Sequence, residues 1–213
     1  MHTHKNLFIA LDGLDGAGKG EMILQTHNYL FSKNKSISIL TTREPTYGKF
    51  GKKIRELLSR DNNPEENSDR ILELFVKDRE EHLHEIIVPF LENKSGNLNV
   101  VLCDRYYYST IAYQHAQGIS LDKLISVNKK FLKPDIAFIL DLPENLAYQR
   151  IQTRERNKRK DMFETLVFLK KVRKTFLQLK DILDDNILII DASKQKEAVF
   201  QEIKKEMLSN HQF

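Results

Sequence analysis

The chain has 213 residues, 40% hydrophobic and 30% charged, with 34 Lys and Arg against 30 Asp and Glu and a formal charge of +4. This is the composition of a soluble globular protein with apolar residues enough for a substantial core, and no apolar run approaches the roughly 18 residues that span a membrane. One cysteine, Cys103, forms no internal disulfide, and the opening MHTHKNLFIA lacks a secretory apolar region, so the expected setting is a reducing cytoplasm.

His2 and His4 could bind metal, but a frayed terminus is the expected reading. The first apolar run, LFIAL (Leu7–Leu11), predicts a strand, and LDGLDGAGKGEM (Leu11–Met22) follows it. Gly13, Gly18 and Lys19 fill the pattern G-x-x-x-x-G-K of a phosphate-binding loop. The hydroxyl residue that completes the pattern is missing: position 20 is glycine and position 21 glutamate. Gly13, Leu14, Asp15, Gly16, Ala17, Gly18, Lys19 and Gly20 therefore form a candidate cradle for the phosphates of ATP. Gly16 and Gly18 allow left-handed backbone angles that turn N–H groups onto an anion. The helix expected over Lys19–Phe31 adds its positive end. Asp15, an acid inside the loop, serves either as a turn residue or as a holder of metal or substrate.

A second strand is expected at Ser36–Leu40, then helices over Phe50–Ser59 and Ser68–Leu91. The latter turns Ile71, Leu72, Phe75, Leu83, Ile86, Ile87 and Phe90 toward the core, and Pro89 bends or ends it. The third strand, Asn99–Cys103, runs into Asp104 and Arg105. An acid at the carboxyl end of an inner parallel strand faces the crevice where such folds bind ligands, which makes Asp104 a candidate for the water shell of Mg²⁺ and Arg105 for a phosphate. Helices over Tyr107–Gln117 and Leu121–Leu132 follow. Tyr106, Tyr107 and Tyr108 cannot all face a crevice, so at least one packs or lies at the surface. A strand at Ile136–Leu140 leads through Pro143, placed where a first helical turn tolerates proline, to a helix over Glu144–Arg156. The remaining elements are a helix over Phe163–Leu183, a strand at Ile187–Ile190 and a helix from Lys196. The strands are nearly continuous apolar runs, as buried parallel strands are, and they alternate with helices. The expectation is one domain over residues 1–213, a three-layer α/β fold with a parallel sheet.

GLDGAGKG, TREP (Thr42–Pro45), LFVKDR (Leu74–Arg79), DRYYYSTIAYQ (Asp104–Gln114) and KPDIAFILDLP (Lys133–Pro143), in order and suitably spaced, resemble the thymidylate kinase family over nearly the whole chain. The resemblance implies a P-loop NTPase fold, its five-stranded parallel sheet flanked by helices, and a homodimer that converts ATP and dTMP to ADP and dTDP with Mg²⁺, without nucleic acid or membrane as partner. It further implies that Arg43 and Arg105 hold the dTMP phosphate, with Glu44 near metal and substrate. Phe75 would stack on the thymine ring and Arg79 would bond its edge. Ser109, Thr110, Tyr113 and Gln114 would line the base and deoxyribose pocket, Tyr113 discriminating against a ribose 2′-hydroxyl. Phe75 and Arg79, four apart, share one helix face.

RIQTRERNKRKD (Arg150–Asp161) holds six basic residues and two acids. By itself it reads as a solvated helix end or a nucleic-acid contact. The resemblance implies a mobile lid over about 150–162. Because the phosphate loop contains no arginine, the same resemblance implies that the lid supplies the catalytic one, from Arg154, Arg156 or Arg159. With Lys19 and Asp104 these complete the expected catalytic set, while Asp15 and Asp104 are expected to hold Mg²⁺ through water. Two other readings stand beside this one: another nucleoside monophosphate or deoxynucleoside kinase of the same fold, and a non-catalytic P-loop nucleotide-binding protein.

Overall fold

The computed structural model describes residues 6–60, 67–94, 97–154 and 166–210. Five strands, β1 (Leu7–Gly13), β2 (Ser38–Arg43), β3 (Asn99–Asp104), β4 (Ile136–Asp141) and β5 (Ile187–Asp191), form one sheet in the order β2-β3-β1-β4-β5. Every pairing is parallel. β1 is buried along its whole length, and β3 and β4 along all but their last residue. The sheet and its flanking helices make the three-layer α/β architecture that the apolar runs predict, in the P-loop NTPase form that the resemblance implies.

β2 departs from expectation. It begins at Ser38 and runs through Thr41 and Thr42 to Arg43, and none of its residues is fully buried. It is an edge strand with β3 as its one neighbour, so polar residues replace the apolar run that an inner strand needs. From β1 the chain turns one way to β2 and later passes from β3 across β1 to β4. The reversal lies beside β1, where such sheets open a crevice at their carboxyl ends. Register brings Leu11, Asp104 and Arg43 level across three neighbouring strands.

Helix α1 (Lys19–Lys33) buries Met22, Ile23, Thr26 and Leu30, a stripe at helical spacing. Helices α2 (Lys49–Arg60) and α3 (Ser68–His82) follow β2. The long helix does not simply bend at Pro89. A π-helical turn, Leu83–Ile87, precedes α4 (Val88–Leu91), and the Val88 N–H bonds back to the Leu83 carbonyl. Pro89 has no N–H to offer the carbonyl of Glu85, and the wider turn absorbs that loss. The extra residue rotates Ile86 off the buried stripe; it is exposed, contrary to its expected place in the core.

Beyond β3 lie α5 (Tyr107–Ala116), α6 (Leu121–Asn128), α7 (Glu144–Arg154), α8 (Leu166–Ile182) and α9 (Lys196–Asn210). Pro143 sits just ahead of α7, and its carbonyl accepts the first helical bond, from the Ala147 N–H. All three consecutive tyrosines are buried. The Tyr106 hydroxyl donates to the Leu132 carbonyl, and those of Tyr107 and Tyr108 to Asp185. Cys103 is buried with a free thiol, pushed well above its ordinary pKa by burial.

Candidate active site

The loop after β1 owes its shape to its glycines. Gly13 has φ 133°, and a Cβ there would stand 2.5 Å from the Leu140 carbonyl oxygen on β4. Gly16 (φ 83°) and Gly18 (φ 91°) take the left-handed angles expected of them, and Gly18 caps α1. Lys19 folds back over the loop, donating to the carbonyls of Gly13 (3.0 Å) and Leu14 (2.9 Å). Burial, then the neighbouring Arg105 charge, lower its pKa to about 8. A bound phosphate offers that ammonium charged acceptors, which bind it more strongly than neutral carbonyls. A Cβ at Gly20 would meet nothing within 4 Å, so the absence of a hydroxyl side chain there is not imposed by space. Glu21 is a surface residue, accepting from Gln25 (2.9 Å) and facing Lys196 (3.4 Å).

The end of β3 joins this loop through Arg105, which has the left-handed φ of 69°. Its guanidinium donates to Ser109 Oγ (2.9 Å) and to the Asp15 carboxylate, and lies over the Tyr113 ring. The Tyr113 hydroxyl donates to the other Asp15 oxygen (3.1 Å) and accepts from the Asp15 N–H (3.3 Å). Burial pushes the Asp15 carboxyl upward, but the charges of Arg105 and Lys19 hold it well below the usual carboxylate range. Beneath lies Asp12, fully buried, accepting from the Ser109 hydroxyl and the Tyr106 N–H (2.8 Å). Burial outweighs these bonds and pushes its pKa up to about 6. Sequence reasoning passed over Asp12. Its one signal was an acid closing the central apolar strand.

Asp104 carries an oxygen, Oδ1, that is buried and has no hydrogen-bond partner. A desolvated carboxylate oxygen without a donor is costly, and this one lies where register sets β3 against β1 and β2. Asp104 and Arg43 line a groove of about 790 Å³ that also takes in Gly20, Thr42, His82, Leu24, Tyr47 and Ile86. The Arg43 side chain has no hydrogen-bond or ion-pair partner among the described residues.

A second, drier cluster lies behind β2. Arg79 is fully buried and gives two hydrogen bonds to Glu44 Oε2 (2.9 and 2.7 Å), one to Asn128 Oδ1 (2.7 Å) and one to Thr110 Oγ1 (2.9 Å). The rings of Tyr106 and Phe131 flank its guanidinium. Four of its five N–H groups are thus committed to the protein. Glu44 is itself buried, and its second oxygen faces His82 Nδ1 at 3.1 Å. Gln114 is also buried, its amide N–H groups spent on the Ser68 carbonyl and Gln117. Ser109 meets Arg105 and Asp12, and Thr110 meets Arg79. Phe75 is half-buried and lies outside the core cluster.

Arg150, on α7, donates to the Gly16 carbonyl (3.0 Å), a link to the phosphate loop that sequence reasoning did not single out. The side chain of Arg154, and Arg156 and Arg159 entirely, lie outside the described residues, as do most of the expected lid and His2 and His4.

The family model for thymidylate kinase matches residues 11–203. The chain is 40% identical over 200 residues to a protein of Archaeoglobus fulgidus named "Probable thymidylate kinase", covering 93% of each chain. It is 39% identical to a thymidylate kinase of Thermosipho africanus, over 93% of this chain and 96% of that one. A thymidylate kinase of the Aster yellows witches'-broom phytoplasma is 38% identical, over 94% and 96%.

Proposed function

We propose a function from a plain premise: the chain belongs to the thymidylate kinase family, and it transfers the γ-phosphoryl group of ATP to dTMP, giving ADP and dTDP. The observation that carries this reading is the convergence of Lys19, Arg43, Asp104 and Arg105 at the carboxyl ends of three neighbouring strands. A glycine-shaped phosphate loop stands at one side and an unpaired arginine at the other, which suits a donor and an acceptor phosphate brought together.

Phosphoryl transfer asks the protein for alignment and positive charge, and the acceptor here is already a phosphate oxygen, so no strong base is needed. Loop N–H groups and Lys19 hold the ATP phosphates. Arg43 and Arg105 hold the dTMP phosphate. Phe75 stacks on the base, whose edge takes the remaining Nη1 hydrogen of Arg79. Tyr113, fixed by Asp15, closes the sugar side, with Ser109, Thr110 and Gln114 as the wall behind. Arg154, Arg156 or Arg159 brings the lid charge, worth about 10³–10⁵ in rate, and lid closure keeps water from the phosphoryl group.

Among the described residues no group of three or more His, Cys, Asp or Glu could enclose a metal ion. The unpartnered Asp104 Oδ1 would hold such an ion through water, with Asp15 as the second carboxylate. An Mg²⁺ ion held there would supply charge to neutralise the phosphate oxygens.

A homodimer belongs to the same reading. Leu24, Tyr47 and Ile86 are exposed apolar side chains beside the groove, and a second copy would cover them. The reaction belongs in the cytoplasm, which suits a buried, free Cys103; no described helix is long and apolar enough to cross a membrane.

A coupled assay of ADP release with ATP, Mg²⁺ and each monophosphate in turn tests the function. Preference for dTMP over AMP, CMP and UMP is expected. The margin over dUMP is roughly 10–200-fold, because one methyl group separates the two. Preference for another monophosphate would reassign the acceptor, and ATP binding without transfer to any would make the protein a nucleotide sensor.

A further inference from the structure

Three side chains of α3, Asp78, Arg79 and His82, close on one short segment, Thr42–Thr46. Asp78 accepts from the Thr46 N–H (2.7 Å) and hydroxyl (2.6 Å). Arg79 binds Glu44 twice. His82 meets Glu44 Oε1 through Nδ1 (3.1 Å) and Thr42 Oγ1 through Nε2 (2.7 Å). Its ring is fully buried, as is nearly all of the Glu44 side chain.

The residue between Thr42 and Glu44 is Arg43. Its guanidinium has no partner among the described residues, so nothing at its own tip sets its direction. That direction comes from the backbone on either side, and His82 grips both flanking side chains. We infer that His82 is a positioning residue for the acceptor phosphate: it fixes Thr42 and Glu44 so that Arg43 stands in the groove before substrate arrives. The inference rests on the proposed binding of the dTMP phosphate by Arg43.

The chemistry of the ring suits this task. Arg79 already meets the other oxygen of Glu44, which leaves Oε1 to the His82 ring. Its Nδ1–H donates to Glu44, and its Nε2 accepts from the Thr42 hydroxyl. No aliphatic side chain can make both links. Leucine at this position leaves Glu44 Oε1 buried without its donor, a loss of the kind that costs more than the bond itself is worth. A segment freed in this way has to be ordered again by the incoming phosphate, and that cost falls on dTMP rather than on ATP.

The test compares His82→Leu, His82→Asn and Thr42→Val with the wild type, varying dTMP and ATP separately. Amide hydrogen exchange at Glu44 and Thr46 is followed in the ligand-free protein. His82→Leu should raise KM for dTMP by about tenfold or more while KM for ATP stays within about twofold, since a buried carboxylate oxygen left without its donor is worth about a decade or more. Thr42→Val, on the edge strand and the variant surer to fold, should shift KM for dTMP in the same direction by about threefold, a neutral hydrogen bond's worth. His82→Asn, whose amide N–H stands near the place of Nδ1, should recover most of the loss. Exchange at Glu44 and Thr46 should quicken in His82→Leu.

Equal rises in both KM values, a lower melting temperature with KM for dTMP unchanged, or no recovery with asparagine would each overturn the inference. A wild type inert toward dTMP would instead defeat the proposed function. The exchange measurement then still reads the clamp, and unchanged exchange in His82→Leu defeats that too.

Discussion

Asp15 in the phosphate loop and Arg105 at the end of β3 form an ion pair across 90 residues of sequence. This pair, rather than any local pattern, ties the cradle to the neighbouring strand. Arg105 makes it from a left-handed backbone, φ 69°, a conformation that costs a non-glycine residue about 1–2 kcal/mol.

Arg105→Gly and Arg105→Ala both remove the guanidinium, and both should abolish most dTMP turnover. They should differ in stability. Glycine relieves the left-handed strain, so Arg105→Gly should unfold at higher urea than Arg105→Ala, by about 1 kcal/mol after the flexibility that glycine adds to the unfolded chain. Urea denaturation of the two variants checks this, and an alanine variant at least as stable as the glycine one contradicts it.

Asp12 gives a pH dependence with a definite sign. Burial raises its pKa from 3.8 to about 6. Between those values the folded chain keeps a proton that the unfolded chain has released. The stability it contributes is therefore present in acid and lost as pH rises through 6, and the gap corresponds to about 3 kcal/mol. Asp12→Asn cannot ionise. The stability of that variant relative to wild type should rise between pH 4 and 7 by an amount approaching about 3 kcal/mol, whatever its constant offset from altered hydrogen bonds. Denaturation across pH measures the slope, and a flat difference refutes it.

Asp104→Asn removes charge from an oxygen that makes no hydrogen bond. The ligand-free fold should gain about 1 kcal/mol as the desolvation cost of that charge is relieved, while the Mg²⁺ concentration for half-maximal rate rises about tenfold, as expected when a charged contact to a bound water is lost. Gly20→Ser enters open space and offers the hydroxyl that the loop lacks, so it should lower the same requirement. Metal titrations of both variants that overlay the wild type would remove Asp104 from the metal site.

Gly51 stands where α2 packs on the Arg43 loop. A Cβ there would lie 1.8 Å from the Thr46 carbonyl oxygen. The Gly51→Ala change should cost about 1–3 kcal/mol, the range for overpacking, and raise KM for dTMP more than KM for ATP because the displaced loop carries Arg43. Thermal melts and steady-state kinetics test it.

Much of the fold was legible in the chain alone. LFIAL, NVVLC and IAFIL are continuous apolar runs, and they became the buried inner strands β1, β3 and β4. β2 was misplaced because an edge strand need not be apolar, so its Thr41, Thr42 and Arg43 resembled a loop. Ile86 was misread because helical periodicity assumes a constant turn, and a π turn ahead of Pro89 broke it.

Site residues followed the same division. Gly13, Gly16, Gly18 and Lys19 carry local geometry within a few residues, and the sequence by itself determined the phosphate loop and its place after β1. The partners of Arg79 could not be seen there. Glu44, Asn128 and Thr110 lie 35, 49 and 31 residues away, and neither periodicity nor spacing encodes such pairs. Asp12, His82 and Asp78 were passed over for the same reason. Local pattern records which face of an element is apolar. Only the strand order and the packing of α3 against the end of β2 decide which polar groups meet where water is excluded, and there every donor and acceptor must find its partner within the protein.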